Sequence, residues 1–460
     1  MPGMFNLDEI SSGYTTTPNA GGTSGSTVSD AEESSLTQFV AEAEGGLLAC
    51  AYGEHLVGGF LIVHKYDAGP PPSSKLVVAG GEGVWDSVVT CWYAGDTIGS
   101  SPDATTPGYH FYPGTISTST TDPTQPVDSF LSSGLAYSGT AYLAVLLPES
   151  KSTEDRPDKI RWRAKCKKVY TYDVSGTPSS SRVYSVNPAD IAVDAIRRYY
   201  EARYPDDETT VLAKLKARVN WDKYLELREY CAETISWNDG TTTRTIPRFE
   251  CHVVFTGEVT LADALDAICA TCATWWQDDG ERITFRLPTD TDFTHHFSES
   301  NIVTGSFQVS PRDTRERINY VTVKFRDLDD PYLTETSTTA QNTALIQKVG
   351  KIASERAFPN MYRSQAQRLL ARQLRLECDY PQVATFRATG AALHVMPGDF
   401  VTVSHSIPDW EYQRCLVLEA TLLSAEKSAD ECEFTVQAIT GEGVIYSDDD
   451  HFPVQPEVTP

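Results

Sequence analysis

The sequence has no long apolar run. A membrane-spanning helix needs roughly 18 or more consecutive apolar residues, and no such stretch occurs. The best candidate, residues 47–64, is interrupted by Glu54, His55 and several glycines. The first residues also lack the basic and apolar segments of a secretory signal. We therefore expect neither stable membrane insertion nor export by that route.

Cationic residues are scarce. The chain has 38 Lys and Arg against 63 Asp and Glu, which gives a formal net charge of −25. Binding to phosphates needs clustered cations, so this composition argues against a surface that grips nucleic acid or an anionic membrane. The simplest explanation is solubility at high local concentration. An alternative is an acidic channel through which DNA slides without sticking.

The motifs of several enzyme classes are missing as well. The chain contains no G-x-S-x-G, no H-E-x-x-H, no G-x-x-x-x-G-K-[ST] and no clear G-x-G-x-x-G after a strand. Carboxylates are so abundant that pairs suited to glycosidase chemistry carry no information. We predict no catalytic residues, no cofactor and no enzymatic activity.

The ten cysteines are scattered, which favours reduced, mostly buried thiols over a disulfide framework. Cys269 and Cys272 form a C-x-x-C that we predict to lie inside an amphipathic helix, near its core-facing side. A metal site would need further ligands, for which Cys251 and His252 are the alternative. No thioredoxin-like pattern surrounds the motif, so a redox pair is the least favoured interpretation. We predict no metal site.

What the sequence does contain is short apolar runs bounded by Gly, Pro or Asp. Hydrophobic residues make up 40% of the 460 residues, enough for several cores. The pattern predicts an α+β, β-rich multidomain fold with small β-barrel or β-sandwich domains. We divide it into a flexible N-terminal arm (1–45), a first β-barrel domain (46–175), an inserted α/β domain (176–290), a second β-barrel domain with one helix (291–445) and an acidic tail (446–460).

Local signals place the helices. Asn187 and Pro188 form a typical helix start, and Thr260 is a second cap with an aspartate three residues later. Further helices are predicted at 221–233 and from Ser364 onward. The adjacent histidines 295 and 296 follow an Asp-Thr repeat, and we assign them to a solvated loop.

One basic cluster stands out, in a segment that alternates apolar and cationic residues as a half-exposed strand does. Either it is simply the outer face of that strand, or it contacts an acidic partner. Its members are Arg161, Trp162, Arg163, Lys165, Lys167 and Lys168.

A series of short strings resembles, in order, the lambda-type tip attachment protein J family, which includes the hub proteins of gene transfer agents. No single string is specific, but seven in order between about residues 130 and 405 are hard to obtain by chance. They are LAYSGTAYL (135–143), YSVNPA (184–189), LREYC (227–231), IPRFEC (246–251), RERINYV (315–321), AQRLLA (366–371) and PGDFV (397–401). The helix and GERI strand at 264–283 also fall where the family has them.

The resemblance implies a structural tail hub: a trimeric ring of small β-barrels, with an inserted α/β domain, that closes the distal end of a phage tail tube. It implies a distal tail protein ring, a tape measure protein and a fibre or receptor-binding protein as partners, with DNA only in transit. Receptor recognition is expected from another protein, since larger members continue into further modules. Tyr137, Arg161 and Trp162 are our interface candidates. A carbohydrate-binding adhesin and a tail-associated cell-wall hydrolase are the alternatives.

Overall fold

The computed structural model describes residues 38–39, 48–58, 60–67, 73–100, 102, 106–115, 139–148, 160–238, 243–278, 280–287, 293–311, 317–326, 335–389, 392, 394–423, 431–439 and 446–448. Most of the predicted N-terminal arm and of the predicted acidic tail lies outside these residues. The α+β, β-rich multidomain class is confirmed by several sheets and six helices in the described part. The domain boundaries stay a prediction.

Two sheets and one further short strand, β2, form the first β region. Its strands are β1 Gln38–Phe39, β2 Cys50–Ala51, β3 Glu54–Val57, β4 Phe60–Asp67, β5 Ser73–Glu82, β6 Trp85–Tyr93, β7 Asp96–Ile98, β8 Gly108–Tyr112, β9 Thr140–Pro148, β10 Ile160–Val169 and β11 Val183–Tyr184. The strand orders are β1-β3-β10-β6-β7, with β11 beside β10, and β4-β5-β9-β8. One apolar cluster, which includes Trp85 and Trp162, draws on both sheets.

The predicted alternation in β10 is confirmed. Ile160, Trp162, Ala164 and Cys166 are buried, whereas the side chain of Arg161 is exposed. A period of two puts successive side chains on opposite faces of a strand, so one face of β10 joins the core.

Helices dominate the middle region. Its elements are α1 Pro188–Arg203, α2 Glu208–Arg218, α3 Trp221–Ala232, β12 Thr234–Asn238, β13 Thr243–Pro247, β14 Val254–Phe255, α4 Leu261–Ala270, β15 Trp275–Asp278 and β16 Ile283–Arg286. The predicted starts of α1, α3 and α4 are confirmed, and the side chains of Asn187 and Thr260 cap as expected. The prediction missed α2. Strand β14 pairs with β2, which joins this region to the first.

The last region returns to strands. They are β17 His295–Phe297, β18 Gln308–Pro311, β19 Tyr320–Arg326, β20 Glu335–Gln341, β21 Ala353–Tyr362, β22 Gln382–Thr389, β23 Phe400–His405, β24 Trp410–Leu422 and β25 Glu431–Ala438. Its helices are α5 Thr343–Val349 and α6 Arg363–Cys378. Helix α6 begins close to the predicted Ser364, but the short α5 was not foreseen because the region was assigned a single helix.

No barrel closes among the described strands. The last region has a three-stranded sheet of order β20-β19-β21 and a larger one of order β17-β23-β24-β25-β22-β18. The two edge strands of the larger sheet, of 3 and 4 residues, are not paired with each other. One face carries a phenylalanine-rich cluster around Phe386 and Phe434. Phe400 and Leu416 form a second cluster with residues at the end of α6. Because both clusters remove apolar surface from water, this sheet does not need closure to bury its core.

Histidines 295 and 296 lie on a strand, which corrects the loop assignment. Strand β17 pairs in parallel with β23, so His295 lies opposite Val401 and His296 opposite Thr402. The two rings face opposite sides of the sheet: His295 contacts His394, and His296 stacks on Tyr412. Within the described ranges, no helix is long and apolar enough to cross a membrane.

Candidate functional site at the junctions between regions

The three predicted interface residues differ in their position in the structure. Tyr137 lies outside the described residues. Arg161 is exposed at the start of β10 and is free to meet a partner. Trp162 is 1% exposed and belongs to the core of the first β region, so its ring is not available at the surface of this conformation.

The basic cluster on β10 is largely engaged within the chain. Arg163 forms an ion pair with Glu54, and Lys168 pairs with Asp86 at 3.1 Å. Lys165 lies 5.5 Å above the ring of Tyr184. These contacts reduce the charge that the strand can offer to a partner, which leaves Arg161 as its most accessible cation.

The first junction is a buried ionic network between β10 and α1. The Nζ atom of Lys167 donates to Asp194 at 2.5 Å, and the hydroxyl of Tyr52 donates to the same carboxylate at 2.7 Å. Both charged side chains are 5% exposed. Burial alone would raise the pKa of Asp194, but the adjacent Lys167 and Arg198 lower it below its ordinary value. The carboxylate is therefore held in its charged form.

Arg198 extends this junction to the surface. Its guanidinium donates to both carboxylate oxygens of Glu82, at 2.9 and 2.6 Å. Two parallel hydrogen bonds fix geometry as well as charge. Helix α1 is thus attached to the first β region by two ion pairs one turn apart.

The second junction places the PGD turn against the β15–β16 hairpin. Gly398 has φ +87°, and a Cβ atom added there would lie 1.8 Å from the indole of Trp275. Gln277 donates to the carbonyl oxygen of Pro397 at 3.1 Å. The turn therefore requires glycine twice, for its backbone angle and for the approach of the indole.

The third junction, which we call the arginine clasp, joins Arg248, Arg368 and Asp448. Arg248 donates to both oxygens of Asp448, with Nε distances of 3.2 and 3.0 Å. Arg368 donates to the Asp448 carboxylate at 3.2 Å and to the hydroxyl of Tyr446 at 2.7 Å. Its remaining terminal nitrogen donates to the carbonyl oxygen of Arg248 at 2.5 Å. Segments 246–251, 363–378 and 446–448 thus meet around one carboxylate.

Several strings that carried the family resemblance meet at these junctions. Arg248 belongs to IPRFEC, Arg368 to AQRLLA and Gly398 to PGDFV, while Asn187 caps α1 and also donates to the carbonyl oxygen of Arg228 at 2.9 Å. Sequence reasoning identified the strings but not the clasp. The sequence features that could have indicated the clasp are the arginines in the strings IPRFEC and AQRLLA and the acid-rich tail.

The cysteines behave as core residues. Helix α4 ends at Ala270, so Cys269 is helical but Cys272 lies in the following turn, which corrects the expectation that both lie inside the helix. Burial raises the pKa of the Cys269 thiol and that of Cys251 to about 12. The Nδ1 atom of His252 accepts from the amide of Glu54 at 3.0 Å. Over the described residues, no three His, Cys, Asp or Glu side chains group as metal ligands would.

The tip of the β23–β24 hairpin carries the largest apolar exposure among the described residues. Ile407 is 70% exposed and Tyr412 is 67% exposed. Asp409, at the end of the turn, and Tyr412, within β24, both adopt positive φ, at 56° and 48°. The hairpin tip is a surface that the sequence analysis did not single out.

Comparison with known proteins supports the resemblance. Residues 260–414 match the family model Phage-tail_3, described as a putative phage tail protein. The chain is similar in fold to a chain from the virion of a native gene transfer agent particle, with a TM-score of 0.57 and 15% identity, covering 90% of this chain and 89% of that one. No curated protein sequence matches.

Two further solved structures align with lower scores. The tail protein from Neisseria meningitidis MC58 has a TM-score of 0.35 and 10% identity, over 89% of this chain and 99% of that one. The 43 kDa tail protein of prophage MuSo2 from Shewanella oneidensis has a TM-score of 0.32 and 9% identity, over 86% and 98%.

The family match and the fold likeness together support a structural role in the tail of a virion. They confirm the tail-protein resemblance drawn from the seven strings, three of which contribute residues to the junctions described above. Residues 260–414 match a family described as putative phage tail proteins, and they lie in a chain whose fold is similar to that of a gene transfer agent virion protein.

Proposed function

We propose that the chain is the hub subunit of a phage tail or a tail-like particle. Three copies form a ring at the distal end of the tail, close the tube and connect it to receptor-binding or fibre proteins. The observation that carries this proposal is the fold likeness to a gene transfer agent virion chain over 90% of the sequence, joined to the tail-family match over residues 260–414. The role is structural and non-enzymatic.

The junctions support a mechanical role. A subunit that holds a tube shut must transmit load between its regions without bending, and buried, hydrogen-bonded charges hold one arrangement against alternatives. The Lys167–Asp194 pair, the Gly398–Trp275 contact and the arginine clasp each tie two regions of this chain together.

The partners in this proposal are two further copies of the chain, the distal tail protein ring, the tape measure protein and a fibre or receptor-binding protein. DNA is in contact only during its passage. The net charge of −25 supports a channel that does not retain it, because like charges repel.

The mass of the particle tests the proposal. Light scattering on the purified chain, with and without the distal tail protein, should reveal a species of three copies (3 × 50.6 kDa, about 152 kDa) or a complex containing three. A monomer that ignores that partner would overturn the hub proposal. Binding of the monomer to host glycans would favour the adhesin, and clearing of host cell walls on a zymogram would favour the hydrolase.

Arg161 is proposed as a contact with the ring partner, since it is the accessible cation of β10. Arg161→Glu should weaken binding to the distal tail protein at least tenfold without lowering the melting temperature, because an exposed side chain contributes little to folding. Lys214→Glu on α2 makes the same charge change at another exposed position and should leave binding unchanged. Equal losses for both variants would point to a general charge effect and remove Arg161 from the interface.

A further inference from the structure

The arginine clasp gathers two buried guanidinium groups around one carboxylate. Arg368 is fully buried, with 0% of its side chain exposed, and Arg248 is 11% exposed. A buried guanidinium carries a large desolvation cost unless acids or carbonyl oxygens satisfy it. Asp448, near the C-terminus of the chain, supplies the carboxylate to both arginines.

Aromatic rings line the same site. Arg248 lies 4.3 Å from the ring centroid of Tyr230, and Arg368 lies 5.0 Å from that of Phe249. The ring of Tyr446 packs on Phe249 with centroids 5.6 Å apart. The bound segment therefore makes two kinds of contact, an aromatic ring on an aromatic wall and a carboxylate between two cations, separated by one residue.

The site holds more positive charge than its described acids neutralise. Arg372 lies one turn after Arg368 on α6, 5.9 Å from the ring centroid of Trp275. Its Nε atom is buried and has no hydrogen-bond partner among the described residues. Burial lowers the pKa of Arg372 to about 10, as expected for a guanidinium without a nearby carboxylate. The described acids that pair with arginines of this site are Asp448 and Glu233, two carboxylates for three guanidinium groups.

We propose that Arg248, Arg368 and Arg372, with Phe249 and Tyr230, form a binding site for acidic peptides of the form aromatic-x-acid, and that the chain's own C-terminal segment occupies it. The described part of this segment reads YSD at 446–448, so one residue separates the aromatic ring from the acid. The occupied site straps the last region of the chain onto the middle one. This strap is independent of the proposed hub ring and would serve any assembly in which the two regions must not separate.

A synthetic peptide tests the site directly. The full chain carrying Tyr446→Phe and Asp448→Asn keeps all three arginines but loses the hydrogen bond to the Tyr446 hydroxyl and the ion pairs of Asp448. A fluorescent peptide VIYSDDD should bind this variant at least tenfold more tightly than it binds the native chain, measured by fluorescence anisotropy. The native chain binds the peptide more weakly because its own tethered segment competes for the site at an effective concentration on the order of millimolar. Binding should weaken as salt is raised, because charge pairs are screened.

The matched control is the peptide VIFSNDD, which keeps two aspartates but lacks the Tyr446 hydroxyl and the Asp448 carboxylate. It should bind at least tenfold more weakly to the variant. Equal binding of the two peptides would show that the variant attracts any acidic peptide by charge alone, and it would overturn the proposal. So would the absence of peptide binding by a variant with the native circular dichroism spectrum and melting temperature.

Hydrogen exchange supplies a measurement that needs no variant. In the native chain the amides of residues 446–448 should exchange at least tenfold more slowly than in the free peptide. Exchange at the rate of the free peptide would overturn the proposal. If the double variant also loses mass in light scattering, the segment is seated on a neighbouring copy, and the assignment to its own chain is wrong.

Discussion

Lys167 and Asp194 are the charged pair on which the first junction depends most. A buried ion pair is not a strong stabiliser in net terms, because desolvation offsets the attraction, but removal of one partner leaves an uncompensated charge. Tyr52 increases this dependence, since its hydroxyl also donates to Asp194. Burial, with the carboxylate of Asp194 next, raises the pKa of Tyr52 well above its usual value, so its proton stays in place.

Asp194→Asn should lower the free energy of unfolding at pH 7 by about 3–5 kcal/mol, measured by urea denaturation. Glu431→Gln, which removes the partly exposed pair with Arg387, is the control and should cost less than about 1 kcal/mol. Replacing both buried partners, Lys167→Met with Asp194→Leu, should recover most of the loss. A cost below about 1 kcal/mol for Asp194→Asn would contradict the role assigned to the pair.

The same pair sets a pH dependence. The folded pKa of Asp194 is lowered relative to its unfolded value near 3.9. The stability that it contributes is therefore present above about pH 4 and is lost as the pH falls through the folded pKa. The difference in unfolding free energy between the native chain and Asp194→Asn should shrink below about pH 4 and stay constant from about pH 5 to 8.

The turn before β23 packs against the β15–β16 hairpin, and the contact depends on the shapes of both elements. The turn offers a backbone without a side chain, and the hairpin fills the space with an indole. Asp399 strengthens the turn by accepting from the amide of Met396 at 3.0 Å. Arg286 of β16 lies 3.8 Å from the same carboxylate, so the hairpin also contributes charge.

Gly398→Ala should destabilise the chain by at least about 3 kcal/mol, because the added methyl group overlaps the indole of Trp275. Gly350→Ala is the matched control: its φ is +85°, but nothing lies within 4 Å of the added Cβ. It should cost only about 1–2 kcal/mol for backbone strain. The difference in melting temperature between the two variants measures the destabilisation caused by the steric overlap with Trp275. Similar melting temperatures would contradict a close turn–indole contact.

For the molecule as a whole, the dominant property is its charge. Asp and Glu outnumber Lys and Arg by 25, and the ion pairs between them leave this surplus unchanged because each pair uses one charge of either sign. Such a molecule should not condense onto nucleic acid, because its net negative charge repels the phosphates.

The chain should show no binding to double-stranded DNA at 0.15 M salt, measured by fluorescence anisotropy with a labelled duplex. Lowering the salt to 0.02 M should not create binding, because the net interaction is repulsive. A basic DNA-binding protein run in parallel confirms that the assay detects binding. An affinity that falls steeply with salt would contradict this prediction and reveal a basic surface that the composition conceals.

Local patterns in the sequence were enough to predict the structural features that depend on neighbouring residues. Asn187 and Thr260 cap helices through contacts two or three residues away, so the signal and its effect share one window of sequence. Alternation likewise predicted the buried face of β10. The ordered strings indicated a resemblance to phage tail proteins without any knowledge of tertiary contacts, and the match of residues 260–414 agrees with it.

Only the tertiary structure decided which charges and rings meet. Lys167 looked like part of a surface cluster, yet it pairs with Asp194 on a helix 27 residues away. His296 looked like a loop residue, yet a parallel partner strand holds it beside Thr402, 106 residues on. Arg248 and Asp448 are separated by 200 residues. Local periodicity carries no information about such pairs, because they depend on how distant elements pack, and packing follows from the summed burial of the whole chain.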